Sequence, residues 1–138
     1  MKSRRSLNVV LAAIIVLGLS QCNDGSKSKL VGVWQLDEMA VNGTILKGSS
    51  LGNWLWEFNP AGGYLTDIAG IREKGTYILK DSMLTLKIAS AKNKIDQKYK
   101  VARLDSVELD LLSTEAQSTS KLRFIRRKIS DVTPVDND

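Results

Sequence analysis

The chain has no histidine, one cysteine and two prolines among its 138 residues. Without histidine, the common zinc sites, the Ser-His-Asp triad and the Cys-His dyad cannot be assembled within this chain. A single cysteine, Cys22, forms no intrachain disulfide, so the fold must be held by its core. No apolar run reaches the ~20 residues that span a hydrocarbon layer. The longest, over residues 9–19, is about half that. Helical periodicity is missing as well: outside that run no segment repeats its apolar residues every 3.6 positions. Gly62-Gly63 and Gly70 lack the strand-to-helix setting of a phosphate-binding loop.

What is present begins at the N-terminus. Lys2, Arg4 and Arg5 precede the apolar run, and Leu19-Ser20-Gln21-Cys22 closes it. This is the n-region, h-region and cleavage-site pattern of a bacterial export signal. Its last four residues resemble a lipobox, where signal peptidase II cuts and leaves Cys22 lipid-modified, with palmitate-type acyl chains. The expected organisation is a signal peptide at 1–21, a tether at 22–29, a β-barrel at 30–128 and a flexible tail at 129–138. Loss of the signal removes three basic residues and no acid, so the formal net charge falls from +5 to +2. Nucleic-acid binding loses most of its compositional support. The expected location is the cell envelope, as an outer-membrane lipoprotein facing the periplasm or the cell surface.

The remainder is a series of short runs separated by turn residues. Strands are expected at 30–41, 53–58, 64–68, 73–79, 83–88, 95–104, 107–112 and 121–127. Asn42-Gly43 and Asn59-Pro60-Ala61-Gly62-Gly63 are strong turn signals. Within the runs apolar residues alternate: Trp54, Trp56 and Phe58; Leu84, Leu86 and Ile88; Leu109 and Leu111; Leu122 and Phe124. Short connections require antiparallel neighbours, because a parallel return needs a crossover of about a dozen residues. Eight such strands in order suggest an all-β, up-and-down barrel that removes its own edges by closing. A two-sheet sandwich is the rival architecture.

Gly32-Val33-Trp34 stands at the start of the first strand, inside Leu30-Val31-Gly32-Val33-Trp34-Gln35-Leu36. Asn42-Gly43 follows, then Trp56-Glu57-Phe58 with Gly62-Gly63, and the chain closes on Leu122-Arg123-Phe124-Ile125-Arg126-Arg127. This constellation resembles the small lipocalin-like domain of Bacteroidetes-type lipoproteins, within the lipocalin/calycin group. The resemblance implies that Trp34 closes the barrel base and that an arginine of the last strand packs over its ring. Arg126 is the expected partner because it shares a face with Leu122 and Phe124; Arg127 takes its place if that strand carries a bulge. It also implies that the 47–52 loop partly lids the open end.

Candidate ligand-pocket residues are Trp54, Trp56, Phe58, Tyr77, Tyr99, Leu109 and Phe124, set against the plain alternative that a small barrel fills its interior with side chains. The only arguable carboxylate sets, Asp37 with Glu38 and Asp67 with Glu73, fall at strand ends or loops, and no enzyme activity, cofactor or metal is expected. Lys121, Arg123, Arg126, Arg127 and Lys128 form a basic cluster that a solvated barrel exterior explains. The expected partners are the membrane through a lipid anchor, a small hydrophobic ligand or an envelope protein, for a monomer that binds no nucleic acid. The function this suggests is a binding or carrier module, or alternatively a filled barrel that acts as an interaction or structural protein.

Overall fold

The computed structural model describes residues 24–89, 96–113 and 118–128. Cys22, the apolar run and the 129–138 tail lie outside the described residues. The elements are α1 (Asp24–Leu30), β1 (Gly32–Val41), β2 (Thr44–Lys47), a 3-10 turn (Gly48–Leu51), β3 (Trp54–Phe58), β4 (Gly63–Ile68), β5 (Ile71–Lys80), β6 (Met83–Ile88), β7 (Gln97–Leu104), β8 (Glu108–Ser113) and β9 (Ser120–Arg126).

All neighbouring strands are antiparallel, and β1 pairs with β9 to close the sheet. Strands β1 and β3 to β9 make an eight-stranded barrel in chain order. Two bulges bend it, between Leu36 and Glu38 on β1 and between Val101 and Arg103 on β7. Such bulges increase local twist and let a sheet curl. Gly75 serves the same end. A Cβ there would lie 1.9 Å from the Lys87 carbonyl oxygen and 2.8 Å from the Tyr64 ring, so β5 can approach β6 this closely only without a side chain.

The eight expected strands correspond to these eight, with ends shifted by a residue or two. Two elements differ from expectation. β2 is a ninth strand that pairs only with the far half of β1, through an Asn42-Gly43 turn in which both residues have positive φ, the geometry that this dipeptide favours. Residues 24–29, expected within a tether, and Leu30, expected to open the first strand, form a helix instead.

Alternation sorts the side chains. Inward positions carry Trp34, Leu36, Trp56, Phe58, Tyr64, Tyr77, Leu84, Leu86, Leu109, Leu111, Leu122 and Phe124, all buried in one cluster. Leu51 of the 3-10 turn joins that cluster. The 47–52 loop is thus docked by an apolar anchor at the end where β1 and β3 connect.

Candidate ligand site at the barrel mouth

The two ends of the barrel are built differently. At the closed end, Trp34 is fully buried and its indole N–H donates to the Leu30 carbonyl at 2.8 Å. The Arg126 guanidinium lies 4.3 Å from the Trp34 ring centroid, a cation–π contact worth about 0.5–2 kcal/mol. Arg126 also donates through Nη1 to the Val31 carbonyl at 2.7 Å, through Nη2 to Lys29, and through Nε to Ser106 at 2.8 Å. The last carbonyls of a helix have no partner within it. Here Arg126 and Trp34 supply the donors, and α1 is thereby fixed across the base.

Gly32 explains why this arrangement needs glycine. Its φ is +140°, and a Cβ would stand 2.3 Å from Arg126 Nη1. The glycine of the Gly-x-Trp triplet is the space the guanidinium occupies. Burial pushes the Arg126 guanidinium below its ordinary pKa. Arg127, the alternative partner, does not stack on Trp34; its backbone N–H pairs with Val33 at 2.8 Å.

The candidate pocket residues divide by height. Phe58 pairs with Gly32 at the base and meets the Tyr77 ring edge-on at 5.1 Å. The Tyr77 hydroxyl donates to the Asn59 carbonyl at 2.8 Å, and burial raises its pKa. Leu109 and Phe124 are cross-strand partners with no exposed surface. Trp56 sits above them, 4.8 Å from Phe124, 6.2 Å from Phe58 and 5.6 Å from Tyr99 by ring centroids. Phe58, Tyr77, Leu109, Phe124 and Trp56 therefore pack against one another as core. Trp54 and Tyr99 are half-buried at its margin, on the side away from the base.

That side has a polar lining that alternation alone did not reveal. Trp56, Thr66 and Glu73 are successive cross-strand partners on β3, β4 and β5, so they form one row on the inner wall, with neighbours about 4.8 Å apart. Tyr64, buried to 4 % exposure, donates its hydroxyl to Glu73 Oε1 at 3.2 Å. Its phenol pKa is raised by burial first, then by Glu73, and also by Tyr99. The Tyr99 hydroxyl lies 3.4 Å from the Gln97 side-chain oxygen. The Trp56 indole N–H is buried and has no hydrogen-bond partner among the described residues. A buried donor left unpaired costs about 1–3 kcal/mol.

Three apolar side chains are exposed around this lining. Ile45 and Leu46 on β2 and Ile71 at the β4–β5 turn are 57, 40 and 76 % exposed. All belong to the end of the barrel away from Trp34 and Arg126. A separate cavity of about 710 Å³ runs beside Gly63, Tyr64, Gly75, Lys87 and Asp96; neither Trp54 nor Tyr99 borders it.

The two carboxylate sets do not converge. Asp67 turns outward to Arg72 at 3.0 Å, whereas Glu73 turns inward. Glu38 pairs with Lys47 at 3.0 Å, and that hydrogen bond holds its carboxyl below the ordinary value. Within the basic cluster, Lys121 and Arg123 pair with Asp110 on the outer wall at 3.6 and 3.2 Å, while Arg126 belongs to the base.

No family model matches the sequence. No curated protein matches it either. Solved structures do. A lipocalin-like protein from Bacteroides uniformis superposes with a TM-score of 0.57 at 22 % identity, covering 72 % of this chain and 99 % of that one. The chain has a lipocalin-like fold. An uncharacterized protein from Bacteroides eggerthii matches with a TM-score of 0.52 at 22 % identity, over 71 % of this chain and 99 % of that one.

Proposed function

We propose that this lipocalin-like chain is a lipid-anchored binding module of the cell envelope that takes a small hydrophobic ligand at the barrel mouth. The supporting observation is the asymmetry of the barrel: a base capped by α1, Trp34 and Arg126, and an opposite end where Trp54 is half-buried and Ile45, Leu46 and Ile71 are exposed. Affinity would come from burying ligand area at roughly 25 cal/mol per Å². Cys22 is the attachment point, and its acyl chains together anchor stably where one does not. α1 starts two residues after Cys22 and is docked on the base, so an anchor there leaves the mouth directed away from the lipid.

The test uses the chain purified from membranes. Titration with fatty acids, retinoid-like molecules and haem is expected to give a saturable change in tryptophan fluorescence. Trp54→Ala weakens that response while the thermal midpoint stays within a few degrees. Cys22→Ser releases the protein to the soluble fraction or leaves the precursor uncut; a processed, membrane-retained form sinks the anchor. The packed lower interior favours a second reading, a filled barrel that binds an envelope protein through its rim. The absence of a saturable response to every compound selects it.

A further inference from the structure

On the described strands, alternation puts two charged side chains inward: Arg126 at the base and Glu73 toward the mouth. Arg126 is committed to α1 and Trp34. Glu73 keeps one carboxylate oxygen on the Tyr64 hydroxyl. Two strands away on the same inner row, across β4, the buried Trp56 N–H has no acceptor among the described residues. Thr66, between them, is buried and turned to the Glu73 backbone carbonyl at 3.5 Å. Tyr99 and Gln97 flank the row from β7.

From this juxtaposition we infer that the mouth selects an amphiphile by its head: a hydroxyl-bearing group, uncharged or cationic, and not a carboxylate. This rests on the mouth being the binding site, as proposed above. A hydroxyl both donates and accepts. Its O–H goes to the Glu73 carboxylate, and its oxygen takes the Trp56 N–H. An ammonium satisfies Glu73 but offers Trp56 no acceptor. A carboxylate offers Trp56 an acceptor but sets a second negative charge beside Glu73, with no inward cation on the described strands nearer than the base. In a poorly hydrated interior such a like-charge pair is strongly disfavoured. The tail of the amphiphile would lie along Trp54 and the rim at Ile45 and Ile71.

Three soluble probes of equal chain length separate these cases: 1,2-octanediol, octylammonium and octanoate. They are titrated calorimetrically at pH 7 into the full chain in lipid nanodiscs, with empty nanodiscs subtracted. The expected order is diol, then octylammonium, then octanoate at least about tenfold weaker than the diol. Glu73→Gln brings octanoate to within about threefold of the diol. Trp56→Phe keeps the ring and removes the N–H; it weakens the diol about tenfold and leaves octylammonium nearly unchanged. A merely structural loss would weaken both alike. Octanoate binding as tightly as the diol to the unmodified chain overturns the head-group assignment and leaves the mouth as a general apolar site. Failure of all three probes, while a retinoid-like molecule still binds, also overturns it alone. Failure of every compound overturns the mouth reading with it. The ranking on the unmodified chain decides even if a variant does not fold.

Discussion

The two ends of this barrel use the same kinds of residue to opposite effect. Trp34 at the base and Trp56 in the core one strand over are direct cross-strand partners. At the base, the Trp34 N–H is bonded at 2.8 Å and its ring is covered by Arg126. Toward the mouth, the Trp56 N–H has no partner among the described residues, and the nearby side-chain hydrogen bonds are long, 3.2 to 3.5 Å. The base is over-determined by contacts that reinforce one another. The mouth keeps polar capacity unspent. Binding sites are often where a fold departs from its own local rules, with the cost carried by well-packed parts elsewhere.

Four substitutions sharpen this contrast. The largest effect is expected from Trp34→Ala, which removes a fully buried ring and should lower unfolding free energy by about 3–5 kcal/mol in urea titration. A loss under about 1 kcal/mol would show that the base does not depend on Trp34. Gly32→Ala comes next, at about 1–3 kcal/mol. It strains a φ of +140° and drives Arg126 out of its seat. Amide exchange at Val31, whose N–H bonds to the Lys27 carbonyl at 3.2 Å, should accelerate in the same variant. Unchanged protection there would separate α1 docking from the guanidinium.

Beside Glu73, Tyr64→Phe should cost under about 1 kcal/mol, because the hydroxyl lost is held by one 3.2 Å bond. A cost as large as that of Trp34→Ala would make the Tyr64–Glu73 pair part of the structural frame and erase the contrast. The smallest effect belongs to Asp105, in the β7–β8 turn at the closed end. Backbone N–H groups of Glu108 and Val107, then Arg103, hold its carboxyl at about 2. A carboxyl whose pKa is depressed on folding stabilises the fold above its unfolded value near 4 and loses that contribution as pH falls toward 2. Asp105→Asn should therefore flatten the fall in urea midpoint between pH 5 and pH 2.5. An equally steep fall in the variant would place the acid sensitivity elsewhere.

How much of this was legible depends on the kind of signal each element carries. β3, β6, β8 and β9 declare themselves by alternation, because one face of each is core and the other carries polar or charged side chains. β2 does not: its four residues, Thr44, Ile45, Leu46 and Lys47, are all exposed, so no burial imposes a pattern on them. α1 is similarly silent. Its sequence, DGSKSKL, has no apolar stripe, and a seven-residue helix is too short to persist by propensity alone. It is held by acceptor sites on Lys29, Leu30 and Val31 that Trp34 and Arg126 fill.

The sequence by itself determined the all-β class, the strand order and the inward aromatic residues, and its resemblance to lipocalin-like domains implied the pairing of Trp34 with a late arginine. Those follow from local period, turn chemistry and a motif, none of which needs distant coordinates. The tertiary structure decided which arginine stacks, that α1 caps the base, and that Trp56, Thr66 and Glu73 share one row. It also decided that Asp67 and Glu73, six positions apart on paired strands, face opposite ways. These depend on register, bulges and closure, and a single-residue slip in any strand would turn each of those side chains to the other wall.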